Sequence, residues 1–352
     1  MVKIAFYLNL QGAGHCRRFE AIARHFPHDC ELAVIGMDGP PPVSDIGLPV
    51  EKVSVPGFGP SPNCPFLQQQ TARDYHNLAV NQGKNAAFVL AMVSFLSQWQ
   101  PDLLVVDVGI EASILGRMCG IPTVYSRQHG KRWDKGHTLA YEWACGLLAP
   151  FSEEMEQTDC PQWIREKTFY SGGFCRFSGR EKVQKVPSTY AQNRPNVLVM
   201  TGFGGTDITV EAIAHSANKN PHWRWHLLGN HPEVAGVCAH GVIDDVWPFL
   251  CHADLVVANA GHNATMEIGA AGVPLICIPA WRHFDEQVCK AKVLEQLGLS
   301  IVVDKWPRSH KWETLWNNSR NLKADWSKLQ NKNAPQRAAQ YLVSIAEKCT
   351  GK

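Results

Sequence analysis

The sequence predicts an α/β protein of two doubly wound, Rossmann-like domains facing each other across a cleft. Short, nearly continuous apolar runs alternate with amphipathic helical stretches, the pattern of parallel strands covered on both faces. The alternation occupies residues 1–180, breaks at the polar, proline-containing "SGREKVQKVPSTYAQNRPN" (178–196), and starts afresh over 195–330. A chain of 352 residues is also about two domains' worth.

The elements follow in order. "KIAFYLNL" (3–10) reads as a strand, "CRRFEAIARHF" (16–26) as a helix and "CELAVIG" (30–36) as the next strand. The apolar run at 86–96 is too short to span a bilayer and reads as a core helix, with a dip into a membrane surface as the alternative. "PDLLVVDV" (101–108) and "PTVYS" (122–126) are strands around a helix at Glu111–Cys119. In the second half "VLVMTG" (197–202), "WRWHLLG" (223–229), "DLVVANAG" (254–261) and "PLICIP" (274–279) repeat the pattern. A last amphipathic stretch, 336–349 within a terminal unit 331–352, suits packing on either domain. Ligands of such folds sit beyond the carboxyl ends of the strands, so the residues that follow each strand matter most.

Composition narrows the class. The chain is 45% hydrophobic and 19% charged with a formal net charge of +2, so nothing in its electrostatics asks for nucleic acid. Twelve cysteines without a C-x-x-C pair, several inside apolar patterns, read as reduced thiols of a cytoplasmic protein. "MVKIAFYLNL" goes straight into a strand pattern rather than a signal peptide.

"NAGHNATMEIGAAGVPLICIPAWRHFDEQ" (259–287) is the densest stretch. Gly261-His262-Asn263 makes a turn after a strand, Asn263 is the expected N-cap, and the helix stops at Gly272. A helix start there offers free N–H groups and partial positive charge to a diphosphate, and Gly261 lets it approach. Glu267, one turn on, is placed to accept from ribose hydroxyls. Asp285, Glu286 and Gln287 follow the next strand, where they can hold a sugar's hydroxyls. Ordinary helix capping explains the same pattern about equally well.

This stretch resembles the donor-binding signature of GT-B glycosyltransferases, of the UDP-glycosyltransferase type and the lipid-linked N-acetylglucosamine transferase type. The resemblance covers about half the chain and extends back through "VIDDV" (242–246). It implies that the backbone of Ile243 meets the base, Asn263 and Ala264 the phosphates, Glu267 the ribose and Gln287 the donor sugar. "SGGFCR" (171–176) and "TGFGGTD" (201–207) resemble the same family, implying that Arg176 contacts the phosphates and that Gly204, Gly205 and Thr206 cradle them. In "LNLQGAGHCRRFEAIARHF" (8–26) a glycine loop ends at Gly14 and His15, where the family carries a histidine. Histidine suits removal of an acceptor proton near neutral pH. Asp107, ending its strand, resembles the aspartate that orients this base. The resemblance implies no cofactor and no metal, the leaving diphosphate being stabilised by helix ends and side chains.

One departure concerns "YSRQHGKRWDKGH" (125–137), where Arg127, Lys131, Arg132 and Lys135 make the acceptor loop basic around Trp133. Unless it is merely solvated, this loop favours a phosphorylated or acidic acceptor, with Arg127 contacting it and Trp133 stacking on a sugar. Trp247 and Trp281, beside the donor motif, are further stacking candidates. The expected function is therefore an inverting, metal-independent transfer from a nucleotide-diphosphate sugar, UDP-linked, to a glycan, lipid-linked or small-molecule acceptor. Lipid-linked acceptors would bring peripheral contact with the inner membrane face. The alternatives are a nucleotide-sugar hydrolase, which "GAGHCRR" fits as G-x-G-H-x-x-R, a sugar epimerase, and a catalytically silent nucleotide-sugar-binding partner.

Overall fold

The computed structural model describes residues 1–9, 14–57, 83–202 and 205–351. The first domain runs β1 (Lys3–Leu8), α1 (Gly14–Ala23), β2 (Glu31–Met37), β3 (Val50–Val55), α2 (Gly83–Trp99), β4 (Leu103–Asp107) and α3 (Ile110–Met118). It continues through β5 (Thr123–Ser126), α4 (Lys135–Trp143), β6 (Gly146–Ala149), α5 (Gln162–Lys167) and β7 (Thr168–Tyr170). These seven strands form a parallel sheet in the order β3-β2-β1-β4-β5-β6-β7.

The second domain runs β8 (Asn196–Met200), α6 (Val210–Lys219), β9 (Arg224–Leu228), β10 (Val237–Ala239), α7 (Trp247–His252), β11 (Leu255–Ala258) and α8 (His262–Ala271). Then follow β12 (Leu275–Cys277), α9 (Glu286–Gln296), β13 (Ile301–Val302), α10 (Trp312–Asn321) and α11 (Ala334–Thr350). Its parallel sheet has the order β10-β9-β8-β11-β12-β13. In both sheets the order reverses beside the first strand, between β1 and β4 and between β8 and β11. A crevice opens at such a switch point.

The apolar runs become strands because both of their faces are covered. Along β1, Ile4, Phe6 and Leu8 join one core while Ala5 and Tyr7 join the core on the other side. Strands β6 and β7, which the sequence reading did not anticipate, are four and three residues long, too short to show a period. Helix α2 buries Phe88, Met92 and Leu96 at i, i+4, i+8 and leaves Val89 and Leu90 exposed. It is thus a surface helix with one buried stripe rather than a fully enclosed core helix. No helix among the described residues is long and apolar enough to cross a membrane.

The 178–196 stretch lies against the second domain, where Trp247 Nε1 donates to Glu181 O (2.9 Å) and Tyr190 OH to Phe249 O (3.0 Å). Helix α11, open to either domain in the sequence, returns to the first one. Ala338, Leu342 and Ala346, all at 0% exposure, share a core with Phe6, Phe19 and Leu103. The chain therefore crosses between domains twice, which tethers one to the other. Leu342→Ala should cost about 2–5 kcal/mol through the cavity it leaves. Hydrogen exchange should show lost protection in β1 and β4 while β8 and β11 keep theirs; equal loss in both sheets would contradict this assignment.

Candidate functional site

The two switch points face one cleft. It is lined by Gly14, His15, Arg18 and Gln128 from the first domain and by residues following β8, β11 and β12 from the second. His15 is the second residue of α1, and Asp107 ends β4, the strand paired to β1. Sheet register therefore delivers the carboxylate to the helix start, and His15 Nδ1 lies 3.0 Å from Asp107 Oδ2.

A third residue, not anticipated from sequence, completes this cluster. Arg18, one helical turn after His15, donates from Nε to Asp107 Oδ2 (3.1 Å) and from Nη2 to Oδ1 (2.8 Å) and Oδ2 (2.9 Å). Burial favours the neutral carboxyl, but Arg18 and His15 outweigh it and hold Asp107 well below the usual carboxylate range. Arg18 Nη2 also lies 3.0 Å from His15 Nδ1. An anionic oxygen is the better acceptor, so the Nη2 hydrogens go to the carboxylate and Nδ1 keeps its own proton for Asp107. That tautomer leaves His15 Nε2 with a lone pair. In the sequence Arg18 shows only as the arginine of the G-x-G-H-x-x-R pattern, with no sign of its bond to Asp107.

Across the cleft, α8 starts at His262 with Gly261 in the N-cap position, and Gly272 in a left-handed conformation (φ 65°) ends it. Asn263 is therefore not the cap. As the second helical residue it reaches the other domain, its Nδ2 donating to Gly14 O (3.3 Å). Glu267 is buried, and its Oε1 accepts from Arg176 Nε (2.9 Å), while Arg176 Nη1 donates to Asp244 O (2.5 Å). Burial raises the Glu267 carboxyl above its ordinary value against the opposing pull of Arg176. Ile243, Gly261, Ala264 and Gln287 also border the cleft. Gln287, however, turns its Oε1 to the backbone N–H of Ala280 (2.9 Å).

The loop after β8 is described from Gly205 onward, and Gly204 lies outside the described residues. Gly205 has φ +88° and its carbonyl accepts from Arg282 Nη2 (2.7 Å); Thr206 Oγ1 accepts from the N–H of Ile208 (3.1 Å). Neither residue is among those that line the cleft.

His262 has a second unanticipated partner. Lys290, in α9, is 1% exposed and donates from Nζ to His262 Nδ1 (3.0 Å). Burial, with Lys290 and Arg18 nearby, pushes His262 well below its ordinary value, so its ring is neutral. While Lys290 donates to Nδ1, the ring proton sits on Nε2, which is buried, makes no hydrogen bond to the described residues and belongs to a cleft-lining side chain. The helix start thus carries an additional N–H donor.

The acceptor-loop expectation is overturned at two residues. Arg127 is 1% exposed and inside the first domain, its Nη1 paired to Glu156 Oε2 (2.5 Å) and donating to Thr168 Oγ1 (3.0 Å). A buried carboxylate has claimed its charge, and it reaches no ligand space. Trp133 is half-buried beside Arg127, packed against the core shared by α3 and α4, with its indole N–H enclosed. Of the remaining cations of the loop, Lys131 pairs with Asp285 (2.6 Å), Arg132 pairs with Glu286 (3.3 Å), and Lys135 is exposed. Trp247 is buried in the core, whereas Trp281 is 67% exposed.

Comparison with known proteins bears on the fold. Residues 236–347 match the glycosyltransferase family 28 C-terminal domain. The glycotransferase of kitacinnamycin, a solved structure, aligns over 98% of this chain and 99% of its own, with a TM-score of 0.68 at 15% identity. The fold is GT-B. An uncharacterized glycosyltransferase of Methanosarcina acetivorans is 28% identical over 143 residues, 38% of this chain and 36% of its own. The chain spans about two fifths of the length of this and other Methanosarcina relatives. The UDP-N-acetylglucosamine–N-acetylmuramyl-(pentapeptide) pyrophosphoryl-undecaprenol N-acetylglucosamine transferase of Actinobacillus pleuropneumoniae is 24% identical over 298 residues. That alignment takes in 74% of this chain and 77% of the relative. In this GT-B chain the matched family segment ends inside α11, so it includes the helix that returns to the first domain.

Lys290 gives a testable sign. Burial lowers its pKa to about 7, against an ordinary 10.5, with Glu286 opposing. Above pH 7 the unfolded chain holds this proton more firmly than the folded one, so folding gains stability as pH rises. Urea denaturation of the wild type and Lys290→Met between pH 7 and 9 should show the wild type gaining relative to the variant. A constant difference would mean that Lys290 keeps its ordinary proton affinity.

Proposed function

We propose that this protein is an inverting glycosyltransferase that moves a sugar from a nucleotide-diphosphate donor, UDP-linked, to an acceptor hydroxyl without a metal ion. The observation that carries the reading is the placement of the His15–Asp107–Arg18 cluster opposite the α8 N-terminus in one cleft. A base on one wall and an anion-stabilising helix start on the other are what direct displacement at an anomeric carbon requires. His15 Nε2 takes the acceptor proton as the acceptor oxygen bonds to the anomeric carbon. The bond from that carbon to the phosphate oxygen breaks on the opposite face, and the nucleoside diphosphate leaves with the electron pair.

The leaving charge is met by the free N–H groups of α8, by His262 Nε2–H and by nearby guanidinium groups. Glu267 spends one oxygen on Arg176, and its other lone pairs suffice for two ribose hydroxyls. The UDP-N-acetylglucosamine in the name of the Actinobacillus relative supports uracil as the base. The acceptor is a glycan, a lipid-linked sugar or a small molecule, and a lipid-linked one would bring the protein to a membrane surface from the cytoplasm.

Arg18 favours one second reading. It completes the G-x-G-H-x-x-R pattern and clamps the carboxylate behind His15, an arrangement that serves equally to activate water. The protein would then hydrolyse the nucleotide sugar.

A thermal-shift panel of UDP, dTDP, GDP, ADP and CMP, with chelator present, tests the donor site. A ligand at about 100 times its Kd stabilises by about 2.7 kcal/mol. UDP should raise the melting temperature by several degrees; a flat panel on a cooperatively melting protein would reduce α8 to a well-capped helix. His15→Ala should lower turnover by roughly 10²–10⁴ while sparing nucleotide binding. Free sugar formed from donor alone, without acceptor, would move the assignment to the hydrolase.

A further inference from the structure

The turn that carries Asp285, Glu286 and Gln287 has an unusual backbone. Phe284 (φ 62°, ψ 22°) and Asp285 (φ 54°, ψ 28°) are successive left-handed residues, and neither is glycine. A Cβ in that region crowds the neighbouring carbonyl, so two in a row do not persist without outside contacts to hold them.

The contacts come from the other domain. Lys131 N–H donates to Phe284 O (2.6 Å), and Lys131 Nζ pairs with Asp285 Oδ2 (2.6 Å). The Arg132 guanidinium stacks 4.7 Å above the Phe284 ring and donates from Nη2 to Glu286 Oε2 (3.3 Å). The His137 ring meets Phe284 edge-on at 4.8 Å. Gly130 (φ +116°) makes the approach possible, since a Cβ there would stand 2.8 Å from Phe284 O and 3.2 Å from Glu286 Cα.

This loop is itself a firm support. Arg132 is buried and donates to His129 O (3.2 Å) and Gln128 Oε1 (2.9 Å); Gly130 N–H donates to Gln157 Oε1 (2.5 Å); His129 Nε2 donates to Met155 O (2.9 Å). Burial pushes the His129 ring down to about 3, so it is neutral and keeps a fixed donor for that carbonyl.

We propose that the 128–132 loop, with Arg132 at its centre, is a positioning element for the donor sugar: from the first domain it holds Phe284–Gln287 of the second in its left-handed turn. The inference rests on the donor reading above. It goes beyond it by separating two recognition events that one domain would otherwise perform together. Ile243, Gly261, Ala264 and Glu267, which suit base, phosphates and ribose, belong to the second domain and need nothing from this loop. The carboxylates suited to the sugar have their geometry set across the domain boundary. Nucleotide is thus recognised without this loop, and sugar only when the loop holds the Phe284–Gln287 turn.

The test measures dissociation constants for UDP, UDP-glucose and UDP-N-acetylglucosamine on the wild type, Arg132→Ala, Arg132→Lys and Phe284→Ala, each checked for cooperative melting. Loss of a charged hydrogen bond and a stacked cation should weaken the preferred UDP-sugar by about 10-fold or more relative to UDP. The affinity for UDP itself should stay within about twofold, as expected for contacts confined to the second domain. Arg132→Lys should resemble Arg132→Ala, because an ammonium cannot stack and bond at once. Hydrogen exchange on the free protein supplies a reading without ligand: amides at 285–287 should lose protection in Arg132→Ala while those at 265–268 keep theirs. Equal weakening of UDP and UDP-sugar, or unchanged ratios and exchange, would overturn the proposal. If the wild type binds no nucleotide at all, the donor reading fails on its own protein and this inference falls with it, an outcome visible before any variant is made.

Discussion

The Asp107 carboxylate is the charge around which the cleft is organised. It lies 3% exposed at the end of a central strand, where an uncompensated anion would be costly. Arg18 meets both of its oxygens and His15 one of them, so the charge is satisfied only while α1 is docked on the β1–β4 edge. Helix position, histidine tautomer and carboxylate ionisation are therefore one event. A bidentate guanidinium also fixes the plane of the carboxylate, and with it the direction in which His15 Nδ1 must point. The imidazole face presented to the cleft follows from an ion pair that touches no substrate.

A second constraint is that specific polar contacts join the two domains beside an apolar cluster that Phe151 and Met155 of the first share with Leu250 and Met266 of the second. Asn263 bonds the glycine turn before α1, Arg132 and Lys131 hold the turn before α9, and α11 ties the chain back to the first domain. Each of the first two contacts starts from a residue near the N-terminus of a helix or in a basic loop, features that in isolation read as ligand-binding. Here they serve partly as joints. Three of the four cations of the loop, Arg127, Lys131 and Arg132, each have a carboxylate partner within the protein.

What was legible in the sequence follows from range. The parallel strands were readable because burial on both faces leaves unbroken apolar runs, and α8 because a left-handed glycine ended it where expected. His15 and Asp107 are paired through the family resemblance, and the structure supplies the reason, since the ends of β1 and β4 lie side by side. The cap at Gly261 rather than Asn263 was not readable, since three consecutive turn-formers satisfy the same rule. Arg127 and Arg132 were misread for one reason: the partner of a cation is invisible when it lies far along the chain. Glu286 is 154 residues from Arg132. Lys290 was hidden differently, because "EQVCKAK" has the charge spacing of a solvated helix and only the tertiary fold buries it.

The distribution of charge gives the last step. The chain as a whole is close to neutral at +2, yet its cleft is not. The carboxylates at its walls each face a guanidinium, Asp107 with Arg18, Glu267 with Arg176 and Glu286 with Arg132. Arg282 is engaged with the backbone carbonyls of Trp281 and Gly205, Lys290 with a neutral imidazole, and Arg17 is half-buried among them. The cleft therefore holds more cationic than anionic side chains, beside a helix start whose own dipole is positive. An excess of positive charge in a narrow cleft focuses potential on a small anion without attracting a polyanion to the surface at large. A diphosphate group would suit that excess: the additional negative charge that develops on an oxygen leaving an anomeric carbon is stabilised beyond the charges its donor already carries.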